Sequence, residues 1–426
     1  MDEARTDRPR LSSALLVGGV MLVAINLRPA AASIGPVLDR IESGTGLSSG
    51  WAGALATLPV LCFGLLAPLA PVLARRFGLR TSLAGAMCVL LAGILLRLIG
   101  GVGFLFLGTG LAGAAIATGN VLLPVLVRRD FAHRTGTAMA LYSVSLIGFA
   151  ALAAGVTVPL ADALGGGWEP GLAVWAIPVA LATLAWLPAL IRRDAPPRAE
   201  RRASAESPGR AVARGLMRRR LAWAVTLFFA LQSGGFYATL AWLPSIFRSH
   251  GASEAHAGLL LSLTMGVGVI TALTVPGLAG RARDQRALVV GSCALTAAGL
   301  LGIVLAPMSA PYLWTVLLGL GQNASFPLAL MLILLRAGDV ATTEGLSTMA
   351  QSVGYVLAAL APLAVGAIHG LAHSWTPPLI LLLALTVPEL AIGLAAGRDR
   401  QLAPQVPAGQ APPHEPPVMA GRAGSP

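Results

Sequence analysis

The sequence has no lysine, and charged residues of every kind are scarce. All 30 basic residues are arginine, and only 11% of the 426 residues are charged. A soluble globular domain has about a quarter of its residues charged, because a polar shell must cover its core. With 56% hydrophobic residues and a mean hydropathy of +0.76, this chain lacks such a shell. The composition excludes an ordinary water-soluble domain and predicts a chain dissolved in lipid.

Cysteines are also rare. Cys62, Cys88 and Cys293 each lie in an apolar run, far from one another. Such a scattered, odd-numbered set does not predict a disulfide framework or a metal site. The sequence lacks a nucleotide-binding motif as well, so we expect neither a cofactor nor a bound metal. The arginines are clustered along the chain, which indicates membrane topology and argues against a nucleic-acid-binding face.

Long apolar runs make up most of the chain. A bilayer core about 30 Å thick is crossed by about 20 apolar residues in a helix, and only helices satisfy the backbone in runs of this kind. The predicted spans are residues 13–37, 51–73, 81–100, 103–127, 136–160, 170–191, 221–245, 255–278, 287–307, 310–335, 346–368 and 375–396.

The arginines predict an orientation for these spans. They cluster before the first span, after every second span, and in the central segment 192–220. The opposite loops have few, chiefly Arg40 and Arg248, with Arg97 near a helix end. Arginine-rich loops stay on the cytoplasmic side of a membrane. We therefore predict a multi-pass protein of the cell membrane with both termini and the central segment in the cytoplasm.

The two halves of the chain repeat a pattern. Asn120 stands four residues before Pro124 in the fourth span, and Asn323 stands four residues before Pro327 in the tenth. Repeats at equivalent places in two sets of spans indicate a tandem duplication, as in many transporters.

The predicted fold class is therefore an all-α integral membrane protein made of two pseudo-symmetric bundles. Residues 1–191 are predicted to form an N-terminal six-helix bundle and residues 221–396 a C-terminal one. Residues 192–220 are predicted to be a basic cytoplasmic linker. Residues 397–426 are rich in proline and are predicted to be a disordered cytoplasmic tail.

The loop after the second span carries a family resemblance. It reads Leu73-Ala74-Arg75-Arg76-Phe77-Gly78-Leu79-Arg80. With the duplicated plan, this loop resembles the G-x-L-A-D-R-x-G-R-R signature of the major facilitator superfamily, although Arg75 stands where the signature has an acid. The resemblance implies two pseudo-symmetric helical bundles and transport by alternating access.

Further segments resemble one family within that superfamily, the cyanate permease and nitroimidazole transporter family. They are Asn26-Leu27-Arg28-Pro29, Arg128-Arg129-Asp130-Phe131-Ala132-His133-Arg134-Thr135, and Ala241-Trp242-Leu243-Pro244 with Gly251-Ala252-Ser253. The resemblance runs from about residue 20 to residue 395. It implies uptake or export of small solutes, including small anions and heterocycles.

Arg28 is the first candidate site residue. An arginine at membrane depth costs about 3 kcal/mol or more to insert, so it must face a cavity or a partner. No acid is near it in the sequence, and a planar guanidinium is a natural ligand for a small carboxylate-like anion. The alternative is that Arg28 reaches the membrane surface beside Pro29. Asn26 is a second candidate, on a different face of the helix.

Asn120 and Asn323 form a candidate pair in the cleft between the halves. A proline four residues later leaves the backbone carbonyl of each asparagine without its helical donor. Carbonyl and side chain are then available to a solute, or alternatively to a neighbouring helix. Further candidates for a cavity lining, each with helix packing as its alternative, are Tyr142, Gln232, Tyr237, Gln351 and Tyr355.

Glu389 is the one acid clearly inside a predicted span. A buried carboxyl group there could carry a coupling proton. Its place towards the cytoplasmic end of the last helix favours the alternative, in which the side chain reaches the membrane surface.

The function these features favour is secondary active import of a small anion, such as cyanate, by alternating access. The alternative is export of small heterocyclic or drug-like compounds of the nitroimidazole type. The spans lack both the catalytic constellation of a membrane enzyme and the charged rings of a channel, so we expect neither. The expected partners are a small-molecule substrate and the lipid bilayer, around a monomer.

Overall fold

The computed structural model describes residues 18–130, 135–192 and 215–402. In this part of the chain, twelve helices are long and apolar enough to cross a membrane, which confirms the predicted fold class. In chain order, α1 to α12 are Gly18–Thr45, Ser49–Phe77, Leu79–Leu96, Val102–Val127, Leu141–Ala163, Trp168–Leu190, Arg220–Ser249, Glu254–Arg281, Arg286–Leu305, Pro311–Arg336, Thr342–Ala372 and Thr376–Ala396. We call the end of the bundle at which α1 meets α2 the Arg40 end, and the opposite end the Arg80 end.

Equivalent helix pairs pack through small residues in the two halves. Helix α3 packs on α4 in the first half, and α9 packs on α10 in the second. A Cβ on Gly93 would lie 2.7 Å from the carbonyl oxygen of Gly108, and one on Gly299 would lie 2.6 Å from the amide nitrogen of Leu318. Glycine at these positions therefore allows the close backbone approach that membrane helices use in place of a hydrophobic driving force.

The halves meet mainly where α1 packs on α7, α2 on α11 and α5 on α8. A Cβ on Gly35 of α1 would overlap the carbonyl oxygen of Leu240 on α7, so these two backbones touch. The contact between α5 and α8 is concentrated in Glu254–Gly266, the half of α8 nearer the Arg40 end. The halves are thus packed most closely at the Arg40 end.

Helix α1 is interrupted at its centre. Residues 25–28 form turns, a short helix Pro29–Ala32 follows, and Gly35–Val37 is a 3-10 turn. Pro29 has no N–H to donate and disfavours helical geometry at the residue before it. The span then continues as the helix Leu38–Thr45. The predicted end near residue 37 is wrong, because Asp39 and Arg40 in this last segment form ion pairs and the segment remains helical.

Ion pairs join the halves at the Arg40 end. Glu254 of α8 accepts hydrogen bonds from Arg40 of α1 and pairs with Arg248 of α7, whose Nη2 lies 2.9 Å from Oε1. Arg248 Nη1 also lies 2.6 Å from Asp39 Oδ2 of α1, and Arg40 Nη2 lies 2.7 Å from Asp162 Oδ1 of α5. Arg40 and Arg248 were predicted to lie in loops, and both in fact lie in helices. We call these five residues the Arg40 network.

At the Arg80 end, each half ties the start of its third helix to the end of its fourth. Arg80 Nη2 lies 2.9 Å from Oδ2 of Asp130, the last residue of the helix that contains α4. In the second half, Arg336 at the end of α10 donates to the side-chain oxygen of Gln285, which precedes α9. The Arg80–Asp130 ion pair of the first half therefore has a counterpart in the second half, where the arginine bonds to a neutral amide.

Part of the predicted tail is packed into this end of the bundle. Arg336 Nε donates to the carbonyl oxygen of Ala396 at 2.8 Å, and its Nη2 donates to that of Gly397 at 3.1 Å. The amide of Leu402 donates to the Arg336 carbonyl oxygen at 2.8 Å. Residues on both sides of the predicted tail boundary at residue 397 are therefore hydrogen-bonded to α10. Residues 193–214 of the predicted linker and 403–426 of the predicted tail lie outside the described residues.

Candidate functional site

Arg28 lies between the two halves, at the interruption of α1. Its Nη1 donates to the hydroxyl oxygen of Tyr237 on α7 at 3.4 Å, and its Nε is buried without a partner. The groups of the described chain that act on it electrostatically are Tyr237, Tyr355 and Tyr142, with no carboxylate among them. The guanidinium thus keeps donors free and has no local counter-charge. The predicted alternative, that Arg28 reaches the membrane surface, is wrong.

Aromatic rings from both halves form a wall beside Arg28. The rings of Tyr237 and Tyr355 pack with centroids 6.3 Å apart, and Phe63 of α2 lies 6.0 Å from the first and 5.7 Å from the second. Phe229 extends this wall from α7, 5.0 Å from Tyr355. Edge-to-face packing of this kind holds the tyrosines in place. The cluster of Arg28, Tyr142, Tyr237 and Tyr355 is called the Arg28 cluster below.

Asn26 points away from the Arg28 cluster. Its side chain is 1% exposed, and its Nδ2 donates to the carbonyl oxygens of Leu22 at 2.7 Å and Pro178 at 3.1 Å. Pro178 belongs to α6, within the same half. Asn26 and Arg28 are two residues apart, and residues with that spacing point to nearly opposite sides of a helix. Asn26 therefore joins α1 to α6, and its hydrogen bonds go to backbone carbonyls and not to the other predicted site residues.

Arg97 supports the interrupted helix and was missed as a functional residue. The sequence placed it near a helix end, whereas its side chain is only 1% exposed. Its Nη1 donates to the carbonyl oxygen of Ala30, two residues after Arg28, at 2.9 Å. A charged donor on this carbonyl stabilises the short helix after the break. The sequence offered one indication of this role: a charged residue one turn after Gly93, on the side of α3 that packs against α4.

The two duplicated asparagines are not equivalent. Asn120 is half-buried, and its side chain makes no hydrogen bond to any described residue. Asn323 donates through Nδ2 to the carbonyl oxygens of Thr264 at 2.9 Å and Gly319 at 2.8 Å. Thr264 is on α8, so Asn323 fastens α10 to α8 inside the second half. Asn120 keeps its amide for another partner, and Asn323 does not.

The remaining candidates divide between two places. Gln351 on α11 donates to Ser347 Oγ at 2.8 Å. It lies one turn from Tyr355, so it is on the same face of α11 as that member of the Arg28 cluster. Gln232 on α7 is 2% exposed and donates to the Phe229 carbonyl oxygen at 3.1 Å. It lines a separate small cavity inside the second half, together with Glu389.

Glu389 does not reach the membrane surface, and that expectation is wrong. Its side chain is 7% exposed, and its Oε1 accepts a hydrogen bond from Ser325 of α10 at 3.3 Å. The carboxylate faces into the second bundle because Thr386, one turn earlier on α12, and Gln322 on α10 line the same cavity. An acid enclosed in this way costs free energy unless another group neutralises it.

The chemistry of the Arg28 cluster is that of an anion or flat-ring site. A guanidinium with free donors binds planar anions through parallel hydrogen bonds, and phenol hydroxyls add donors or acceptors as needed. Ring faces suit a flat solute. These groups come from α1, α5, α7 and α11 of both halves, so relative movement of the halves alters the site.

The described chain forms twelve helices that can cross a membrane, in two repeated halves with polar residues between them. This arrangement is typical of membrane transporters. Residues 16–359 match the family model of the Major Facilitator Superfamily, and the chain belongs to that superfamily.

Curated relatives cover nearly the whole chain. It is 40% identical over 395 residues to the uncharacterised transporter YycB of Bacillus subtilis (strain 168), covering 92% of this chain and 96% of that protein. It is 38% identical over 388 residues to the 2-nitroimidazole transporter of Escherichia coli (strain K12), covering 91% and 96%. It is 30% identical over 357 residues to the cyanate transport protein CynX of the same organism, covering 84% and 90%.

A solved structure shares the fold at low sequence identity. It is a bacterial homologue of the human lysosomal transporter Spinster, inward-facing and unoccupied. The TM-score is 0.73 at 14% identity, covering 92% of this chain and 98% of the other.

Proposed function

We propose that this protein is a secondary active transporter that moves a small anion across the cell membrane by alternating access, with Arg28 as the anion ligand. The observation that supports the proposal is the environment of Arg28. Its guanidinium lies between the halves with donors free and no carboxylate among its electrostatic neighbours. A desolvated charge needs compensation, and a bound anion supplies it.

The anion that fits best is small and flat. Arg28, unlike a lysine, presents a planar fork that matches two acceptor atoms at once. Cyanate or a related compound is the substrate class that we favour, since one relative carries the name of a cyanate transport protein. Asn120, Tyr142, Tyr237, Gln351 and Tyr355 are the proposed supporting residues. The positions of Asn26, Gln232 and Asn323 argue for structural or separate roles.

A second candidate function is export of small heterocycles. The rings of Phe63, Tyr237 and Tyr355 supply a stacking surface that a simple anion does not need. A relative of similar length is named as a 2-nitroimidazole transporter. In this case Arg28 would donate to a nitro or ring acceptor, and its charge would be less important than its hydrogen bonds.

Orientation and state are part of the proposal. We infer that the Arg40 end faces outside and that both termini are cytoplasmic, because arginine-rich loops remain inside. The described conformation would then be closed to the outside by the Arg40 network. We further propose that the protein acts as a monomer, and that Glu389 couples transport to an ion gradient.

Counterflow in proteoliposomes tests the proposal. Vesicles are preloaded with unlabelled cyanate, formate, benzoate or 2-nitroimidazole, and the uptake of labelled cyanate or labelled 2-nitroimidazole is measured. We expect cyanate to drive its own exchange in wild type and in Arg283→Gln, a control at an arginine that is almost fully exposed. Arg28→Gln should abolish exchange. Exchange of 2-nitroimidazole with none of the anions would instead establish the second candidate.

A further inference from the structure

The second half encloses a polar cavity that the Arg28 cluster does not use. It lies among α7, α9, α10 and α12, and its polar lining consists of Gln232, Thr296, Gln322, Thr386 and Glu389. Leucines complete the wall, and the cavity measures about 10 Å³. One water-sized occupant needs about that volume.

The lining leaves three oxygen atoms without a partner, two of them amide oxygens that can only accept. Gln232 Oε1, Gln322 Oε1 and Thr296 Oγ1 are all buried and have no partner. The amide orientation of Gln232 is fixed, because only its nitrogen can bond to the carbonyl oxygen of Phe229. Gln322 Nε2 donates to Thr239 Oγ1 at 3.0 Å. Both amide nitrogens thus bond to groups other than the cavity's occupant, and the amide oxygens are left for whatever fills the cavity.

Glu389 adds a negative charge with no basic neighbour. The groups that act on its carboxyl group are Ser325 and Cys293, and no arginine of the described chain is among them. A carboxylate, two amide oxygens and a hydroxyl around one small space make an oxygen-only ligand set of net charge −1. Hard monovalent cations prefer oxygen ligands of this kind.

We propose that this cavity is a binding site for one sodium ion, held by Glu389, Gln232, Gln322 and Thr296. A sodium ion is smaller than a water molecule and fits this space, and it neutralises the carboxylate and contacts the unpartnered oxygens together. A divalent ion would leave a net positive charge in the bundle. A proton on Glu389 would also neutralise the carboxylate but would leave the space between these oxygens unfilled, and the experiment below separates the two occupants. The site goes beyond the proposed anion transport and names the ion whose gradient could drive it.

The site and the aromatic wall share helix α7. Gln232 donates to the Phe229 carbonyl oxygen one turn earlier on that helix, and the Phe229 ring packs 5.0 Å from Tyr355. The two sites are therefore neighbours along α7 with different lining residues.

Thermal unfolding of the purified full-length protein tests the site without any substrate. The unfolding midpoint is measured against NaCl, with choline chloride holding the ionic strength constant. A ligand that binds only the folded state raises the midpoint in a saturable way. We expect this in wild type and in Glu344→Gln, a control that removes an exposed acid from α11. Glu389→Gln should abolish the response.

A second variant covers the case in which Glu389→Gln does not fold. Thr296→Val replaces only a hydroxyl by a methyl group and should weaken sodium binding about tenfold, as expected for one lost ligand. Equal midpoints in sodium and choline for wild type would overturn the proposal, as would a sodium response retained in Glu389→Gln. Stabilisation by acid alone, with no sodium response, would also overturn it and identify a proton as the occupant. None of these results bears on anion binding at Arg28.

Discussion

The two halves of this transporter share one plan but use their polar residues in different ways. In the first half, Arg28 and Asn120 are half-buried, and Asn120 makes no side-chain hydrogen bond to the described chain. In the second half, Asn323 donates to two backbone carbonyls, and Glu389 is enclosed in its own bundle. Arg28 and Asn120 of the first half thus keep side-chain donors free, whereas Asn323 and Glu389 of the second half are engaged within their own bundle.

This difference shows that a repeated residue need not keep a repeated role. Asn120 and Asn323 stand at equivalent places before a proline, yet the neighbouring helix decides which of them is free. Close packing of α10 on α8 offers Asn323 the carbonyl oxygen of Thr264. A buried amide takes such an acceptor because leaving its donors unmade is costly.

The largest expected effect concerns the buried arginine of the second half. Arg336→Met removes donors from Ala396, Gly397 and Gln285. Hydrogen bonds from charged groups contribute about 1.5–3 kcal/mol each, so the free energy of unfolding should fall by about 3 kcal/mol or more. The measurement is the thermal unfolding midpoint of the purified variant.

Arg97→Met is the matched variant in the first half. Arg97 donates to Ala30, but its Nε and Nη2 are buried without partners. Removing an incompletely paired charge offsets much of the lost hydrogen bond, so stability should change by about 1 kcal/mol. Transport should nevertheless fall about tenfold, because the short helix after Arg28 loses its support. A larger loss of stability here than in Arg336→Met would contradict the comparison.

The Arg40 network should control how the halves separate. Glu254→Gln weakens the pairs with Arg40 and Arg248, and partly exposed pairs contribute up to about 1 kcal/mol each. We expect the population open at the Arg40 end to rise about tenfold. The measurement is the alkylation rate of Ala241→Cys, a buried position on α7. Asp162→Asn is the control: it weakens a pair within one half, so an equal rise there would remove the network's role as a gate.

The smallest expected effect separates the two asparagines. Asn120→Ala should weaken substrate affinity by about 1 kcal/mol, roughly fivefold, and leave the unfolding midpoint unchanged. Asn323→Ala should lower the midpoint, because two buried carbonyl oxygens lose a donor. Affinities come from counterflow at graded cyanate concentrations. If both variants behave alike in both measurements, the halves have not diverged at this position.

The architecture could be predicted from the sequence, but the positions at which spans with charged ends begin and end could not. Hydropathy identified all twelve spans, because long apolar runs have few alternatives to membrane helices. It ended α1 too early, since Asp39 and Arg40 of the helix Leu38–Thr45 find their counter-charges on α5, α7 and α8. Partners on distant helices leave no trace in a local hydropathy window.

Individual site residues could be predicted only where the chemistry of the side chain alone indicates a role. Arg28 was identified because a charge at membrane depth requires an explanation wherever it points. Arg97 is buried more deeply than Arg28, but its place at the end of a span concealed that. Glu389 was expected at the surface because it lies towards the cytoplasmic end of the last helix, and that position does not reveal which helices pack around it. Which polar residues share a cavity depends on the packing of helices that are far apart in sequence.

The account rests on Arg28 as the ligand of an anion between the halves, and cyanate counterflow in matched variants tests this directly. Arg28→Lys keeps the charge but loses the planar fork, so we expect strongly impaired exchange, and no exchange in Arg28→Gln. Both variants should reach the membrane at wild-type levels, since a purely structural arginine would instead reduce the amount of protein there. Near wild-type exchange by Arg28→Gln would contradict the account and favour the export of neutral heterocycles.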